Sequence, residues 1–182
     1  MREMDHYGLQ MCKYQGELFQ ESLRRTQCGS KVFLRRFMLS DLAERMDKDG
    51  FLYEATDVGD AFIEIETQYG PTDYGQIKFG GEALYWTGYL YRYWSYISGK
   101  SSKQLYRIIK PEELEKLYFP YHSLDPEQAI ERIMEAKGLT EEDMIKRGVE
   151  ILRRIRARKA EQKAKDDNEE TAELLVGKEN PK

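Results

Sequence analysis

The segment from Tyr85 to Ile97 constrains the fold more than any other part of this 182-residue chain. It contains both tryptophans and five of the thirteen tyrosines, and each such ring offers about 150–250 Å² of surface for burial. A stable fold therefore has to bury most of the segment. Because its aromatic side chains recur at helical spacing on most sides, the pattern predicts a central helix over 82–98.

Two adjoining stripes run along this predicted helix. The first consists of Trp86, Leu90, Trp94 and Ile97, and the second of Tyr85, Tyr89, Tyr93 and Tyr96. We expect the tyrosine stripe to lie nearer the surface, because its hydroxyls need hydrogen-bonding partners or water. The residues that interrupt the apolar surface are Thr87, Gly88, Arg92 and Ser95.

Helical spacing continues through the rest of the chain, which predicts an all-α fold. Helices are expected over 7–25, from Lys31 to Met46 after an N-cap at Ser30, and from Val58 to Tyr69 after Asp57. Shorter ones follow over 103–109, from Pro111, and from Pro126 to Lys137 after an N-cap at Asp125, with 119–124 as an ordered link. Alternation over 61–66 also allows a strand, but the longer spacing and the end signals favour a helix.

Three regions are predicted along the chain. Residues 1–138 form a compact multi-helix bundle, 139–165 a charged helical extension, and 166–182 a disordered tail. The extension is basic, with Arg153, Arg154 and Arg156 among its cations. Leu174 and Leu175 belong to a small apolar patch in the tail, which is either a docking segment or a chance cluster.

Composition narrows the possible partners and the compartment. The net charge of −4 gives no overall attraction to nucleic acids or anionic membranes, so any basic surface must be local. No apolar run approaches the roughly 20 residues of a membrane span, and the N-terminus lacks a secretory apolar region. Two cysteines in such a chain are expected to be reduced thiols, which indicates a cytoplasmic protein.

The sequence contains no recognisable catalytic, metal or cofactor motif. Two histidines without a Cys-x-x-Cys pair argue against structural zinc. Asp47 to Gly50 resembles part of a calcium loop, but loop positions 1 and 12 would be Arg45 and Thr56, so a turn is the better interpretation. His122 lies near Tyr121, Ser123 and Asp125, yet consecutive residues seldom converge on one site, and a structural hydrogen-bonding role is favoured over a proton-transfer role.

One segment has the pattern of a helix-turn-helix. From Tyr91 to Ile108 a helix is followed by a turn at Gly99 and a second helix whose inward residues would be Leu105 and Ile108. The candidate DNA-binding side chains are Lys100, Lys103, Gln104 and Arg107. An ordinary helical hairpin is the alternative, and the bulky Trp94 at the helix crossing favours it.

Four blocks resemble a known family: KVFLRRFM (31–38), YWTGYLYRYW (85–94), SSKQ (101–104) and YHSLDPEQAIER (121–132). The family consists of small bacterial proteins, mostly from Firmicutes, of antitoxin type and commonly encoded beside an ADP-ribosyltransferase-like toxin cluster. The resemblance covers about residues 14–137 and supplies no catalytic residues.

The resemblance implies a non-enzymatic protein that neutralises a cognate toxin, or another neighbouring-gene product, by binding it. The candidate partner-binding residues are Arg153, Arg154, Arg156, Leu174 and Leu175. The alternative function is DNA-binding autoregulation through the helix-turn-helix pattern. No cofactor is expected, and the sequence does not fix the oligomeric state.

Overall fold

A computed structural model describes residues 2–51, 57–140, 145 and 148–159, and these residues contain helices but no strand. By its internal contacts the chain divides into two compact units, Met1–Glu131 and Arg132–Lys182. The helices are α1 (His6–Arg25), α2 (Ser30–Met38), α3 (Asp41–Met46), α4 (Val58–Tyr69), α5 (Gly81–Ser98), α6 (Ser102–Ile108), α7 (Pro111–Tyr121) and α8 (Pro126–Ala136), which crosses the boundary between the units. Residues 148–159 are also helical. Among the described helices, none is both long and apolar enough to span a membrane.

The predicted all-α fold and its central aromatic helix are confirmed. Helix α5 packs most extensively against α1 and also contacts α6 and α7. It begins at Gly81, one residue before the predicted start, and ends at Ser98, after which its C-cap Gly99 adopts a left-handed conformation with φ 67°. The first unit is therefore built on the α1–α5 pair.

Polar and small residues of α5 are buried together with its apolar ones. Thr87, Gly88, Arg92 and Ser95, which interrupt the apolar pattern, are all buried. Gly88 allows the close approach of α1, because a Cβ atom there would lie only 2.5 Å from the carbonyl oxygen of Gln15. In the row of tyrosines, Tyr85, Tyr89 and Tyr96 are half-buried, as expected for residues nearer the surface, whereas Tyr93 is buried.

The single helix predicted from Lys31 to Met46 is wrong, because the chain breaks it between Met38 and Asp41. Ser40 caps the second part by accepting a hydrogen bond from the backbone N–H of Ala43 at 3.1 Å. The break preserves the buried face, which explains why the apolar spacing gave no sign of it.

Ser30 is the first residue of α2 and not its N-cap, a position that Gly29 occupies. The Ser30 hydroxyl instead accepts a hydrogen bond from the backbone N–H of Phe79 at 2.9 Å. This bond ties the loop before α5 to the start of α2, a long-range use of a serine that local capping rules do not anticipate.

Two details of the later helices also differ from prediction. Helix α7 continues through Pro120 to Tyr121, so part of the predicted link is helical. The buried apolar pair after Gly99 is Leu105 and Ile109, while Ile108 is only half-buried. The predicted cap at Asp125 is present, with its Oδ1 accepting from the N–H of Glu127 at 2.9 Å.

Candidate functional site

The turn between α5 and α6 brings together the residues with the most distinctive chemistry. Gly99 supplies the left-handed conformation that the sequence predicted, and Ser101 caps α6. The Ser101 hydroxyl accepts from the N–H of Gln104 at 3.2 Å, while the Gln104 side chain accepts from the N–H of Ser101 at 2.8 Å. This reciprocal capping box uses the Gln104 side chain locally.

The four candidate DNA-binding side chains, Lys100, Lys103, Gln104 and Arg107, are all exposed. However, α6 has only seven residues, and an internal carboxylate already occupies its N-terminus. Asp47 Oδ2 accepts from the backbone N–H of Ser102 at 2.8 Å, and its Oδ1 accepts from the Ser102 hydroxyl at 2.7 Å. The positive end of α6, where a phosphate could otherwise bind, is thus neutralised by Asp47.

Arg92 forms the centre of a buried polar network. Its Nε donates to Gln15 Oε1 at 2.8 Å, and its Nη2 donates to the Ser102 hydroxyl at 3.1 Å. Its Nη1 donates to the Met46 carbonyl and to Asp47 Oδ1, both at 2.9 Å. One guanidinium therefore connects α1, the end of α3 and the start of α6 to the central helix.

The charged and hydrogen-bonding groups of the network stabilise one another, because a buried cation without a partner is very unfavourable. The Arg92 side chain is only 2% exposed, and that burial lowers its pKa while Asp47 acts in the opposite direction. Sequence reasoning placed Asp47 in a simple turn and gave Arg92 no partner. An arginine inside an aromatic helix was the available signal, because it required a buried acceptor.

A cleft of about 600 Å³ opens beside this network. Arg92 and Asp47 line it together with Ser95, and the N-terminal segment borders it. Arg2 donates its backbone N–H to the Ile97 carbonyl at 2.9 Å, and its guanidinium lies 4.1 Å from the Tyr96 ring centroid. Arg92 and Asp47 are paired with each other where they line this cleft.

The histidine that the sequence singled out lies at the end of α7, where it lines a groove that Glu82 also lines. His122 is exposed, and its Nδ1 lies 3.2 Å and 3.0 Å from the carbonyl oxygens of Tyr118 and Phe119. This is a local contact at the end of α7. Within the described residues, no group of three or more His, Cys, Asp or Glu side chains is arranged to hold a metal ion.

Both cysteines are free and buried, as the sequence predicted for reduced thiols. Burial raises the pKa of Cys12 to about 12, although nearby Arg92 acts in the opposite direction. A thiol of this kind remains protonated at neutral pH and is a poor nucleophile. Cys12 therefore serves as a small core residue.

The candidate partner-binding arginines, Arg153, Arg154 and Arg156, are exposed on the helix over 148–159. Arg154 pairs with Glu150 one turn earlier. Leu174 and Leu175 lie outside the described residues. The same part of the chain carries exposed aliphatic side chains at Ile145, Val149, Ile151, Leu152 and Ile155.

No protein-family model, curated protein or solved structure matches this chain.

Proposed function

We propose that this protein is a non-enzymatic cytoplasmic antitoxin that binds and neutralises the toxin encoded beside its gene. The observation that supports the proposal is the exposed apolar face at 145–155, which is bordered by arginines. The family resemblance supplies the class of partner, and this face supplies the means of binding it.

The apolar face is defined here as Ile145, Val149, Leu152 and Ile155. These side chains are 62%, 43%, 55% and 45% exposed, and their spacing of four, three and three residues places them on one side of a helix. Single exposed aliphatic residues are common on soluble proteins, but a contiguous row of them marks a surface that binds something. An amphipathic helix of this type fits an apolar groove on a partner.

The charges beside the face specify the partner further. Arg153 and Arg156 form no ion pair among the described residues, whereas Arg154 is paired with Glu150. A partner groove with acidic residues along its rim would complement these cations and speed association. The toxin is thus expected to present an apolar groove with an acidic edge.

Co-expression with the product of the adjacent gene tests this proposal through co-purification and rescue of growth. The double variant Val149→Asp/Leu152→Asp should abolish both, because it places charges inside the interface. Reversal of Arg153, Arg154 and Arg156 to glutamate should weaken binding. The matched control reverses three exposed cations elsewhere, Arg24, Arg35 and Lys116, and should bind normally. Absence of a complex and of rescue with the unaltered chain would refute the proposal.

DNA-binding autoregulation is the second candidate function. It is favoured by the exposure of Lys100, Lys103 and Arg107 beside the left-handed Gly99, whereas the Asp47 carboxylate at the N-terminus of α6 weighs against it. Binding to its own promoter should then weaken with salt and disappear in Lys103→Glu/Arg107→Glu. Equal promoter binding by that double variant and the unaltered protein would eliminate this candidate.

A further inference from the structure

A groove of about 490 Å³ lies on the first unit where the partly exposed side of α5 meets the end of α7. Its walls are mostly aromatic, and the residues that line it include no lysine or arginine. They are Gln20, Glu82, Tyr85, Trp86, Tyr89, Tyr118, His122, Leu124 and Pro126. None of these residues belongs to the Arg92 network.

The rings of the groove are held in fixed relative positions. Tyr85 and Tyr89 stack with centroids 6.2 Å apart, and Trp86 meets Tyr118 edge-on at 5.9 Å. The Tyr118 hydroxyl donates to Glu82 Oε2 at 3.0 Å. Among the described residues Glu82 Oε1 has no hydrogen-bonding partner, so one carboxylate oxygen at the edge of the groove is open to a ligand.

Further carboxylates surround the aromatic row. Glu17 is close enough to Tyr85 to raise the pKa of that phenol, although burial is the larger cause. Burial raises the pKa of Tyr89 to about 12, and Asp125 contributes to the shift. Within the described part of the chain, Glu17, Glu82 and Asp125 form no ion pair. The groove therefore combines electron-rich ring faces with uncompensated negative charge.

We propose that this groove binds an arginine or lysine side chain presented by a peptide segment of a partner protein. The cation would lie against the faces of Trp86 and the neighbouring tyrosines, with Glu82 as its counter-charge. Aromatic faces attract cations through the ring quadrupole, and the attraction grows as the site loses water. An anion would be repelled, and a neutral aliphatic group would leave the carboxylates without a partner. The proposal holds whether or not the apolar face binds a toxin.

Short capped peptides provide the probe. The sequence Gly-Arg-Gly-Arg-Gly can be compared with the same peptide in which citrulline replaces both arginines, a neutral group of nearly the same shape. Binding is measured by tryptophan fluorescence, because Trp86 lines the groove while Trp94 is only 2% exposed and gives a constant background. The arginine peptide should give a saturable change, and the citrulline peptide should bind about tenfold more weakly or not at all.

Glu82→Gln should weaken arginine-peptide binding about tenfold, since a hydrogen bond to a charged group is replaced by one to a neutral amide. Glu82 is exposed, so the fold should survive, and thermal unfolding followed by circular dichroism checks this. The matched control is Glu66→Gln, an exposed acid that lines a different cleft and should leave binding unchanged. Equal binding of the two peptides, or equal affinity of Glu82→Gln and Glu66→Gln, would overturn the proposal. Neither measurement uses the toxin, so its outcome is independent of the proposed antitoxin function.

Discussion

Two neighbouring sides of α5 differ in how they contact the rest of the first unit. The inner side carries Thr87, Gly88, Arg92 and Ser95, and these residues are buried together with Leu84 and Tyr91. The outer side is the adjoining row of tyrosines, which packs against α1 at Gly8 and Gly16 while Tyr85 and Tyr89 stay partly open to solvent. The apolar side chains of Leu90, Trp94 and Ile97 are buried as well, so the polar residues add to the buried surface of α5 and do not replace it.

The inner side shows that small and charged residues can be buried in a helix when a neighbouring helix packs closely and the charged group is hydrogen-bonded. Gly88 lets the α1 backbone come within van der Waals contact, and Arg92 is acceptable inside because four acceptors surround it. A tyrosine is buried here where its hydroxyl finds an acceptor, as Tyr91 does at Ile109, and elsewhere it can cover a surface while its hydroxyl reaches water. We therefore expect substitutions on the inner side to reduce stability strongly, and substitutions on the outer side to reduce it little.

The most severe test of this contrast removes the counter-charge of Arg92. Asp47→Ala should destabilise the protein by about 3–5 kcal/mol, because it leaves a buried guanidinium without its carboxylate. It also removes the acceptor that receives the N–H of Ser102 at the start of α6. Urea unfolding followed by circular dichroism measures the change.

Asp49→Ala is the matched control for the Asp47 variant. Asp49 is only two residues away and also pairs with an arginine, Arg2, but its side chain is 78% exposed. A surface pair of this kind contributes about 1 kcal/mol or less. If the two aspartate variants lost equal stability, the Arg92 network could not be the basis of the inner side.

Close packing of α1 against α5 is tested by Gly88→Ala. The added Cβ would lie 2.5 Å from the Gln15 carbonyl oxygen and 3.0 Å from Gly16 Cα, so the two helices must separate. We expect a loss of about 1–3 kcal/mol, as for other overpacked cores, measured by thermal and urea unfolding.

The control Gly59→Ala has the same chemistry in a helix where space is available. Its nearest contact would be 3.4 Å from the flexible end of Arg25, so the alanine should be neutral or stabilising. A stable Gly88→Ala variant would show that the tight crossing is not required.

The helices of the first unit were largely predictable, because their apolar spacing and their caps at Asp57, Ser101 and Asp125 are local properties. The break at Ser40 was not predictable in the same way, since both parts keep their apolar residues on one face. Long-range bonds such as that from Phe79 to Ser30 depend on how helices meet, which no local pattern specifies.

In the candidate site, too, local features were predictable and long-range contacts were not. Gly99 and the exposure of Lys103 and Arg107 were expected from the turn and the spacing. The pairing of Arg92 with Asp47, 45 residues earlier in the chain, was not, because only the folded arrangement brings them together. Single sequences reveal that a buried arginine needs a partner but not which acid supplies it.

Replacing a tyrosine by phenylalanine removes only one hydroxyl, so it compares the stability of the two sides with very little change in shape. Tyr91 is fully buried and donates to the Ile109 carbonyl at 2.7 Å, so Tyr91→Phe leaves that carbonyl unpaired and should cost about 1–2 kcal/mol. Tyr89→Phe, on the partly open side, should change stability by no more than about 0.5 kcal/mol. Urea unfolding of both variants measures the difference, and equal losses would contradict the contrast.

The smallest expected effect lies where the tyrosine row meets the N-terminus. A hydrogen bond from the Gly8 N–H lowers the pKa of Asp5, and the Tyr96 hydroxyl lowers it further. Because the pKa in the folded state lies below the unfolded value near about 4, the stabilisation is complete above that pH. It is lost as pH falls through the folded-state pKa.

Asp5→Asn keeps a good helix cap but has no charge to titrate, so stability at pH 7 should change little. The variant should lose less stability than the unaltered protein when the pH is lowered from 5 to about 2. Melting temperatures across this range test the expectation, with Asp73→Asn, an exposed loop acid, as the control that retains the full acid sensitivity. If Asp5→Asn and the unaltered protein lost the same stability in acid, this contact at the outer side would contribute nothing to stability. The difference in stability between the outer side and the Arg92 network would then be still larger.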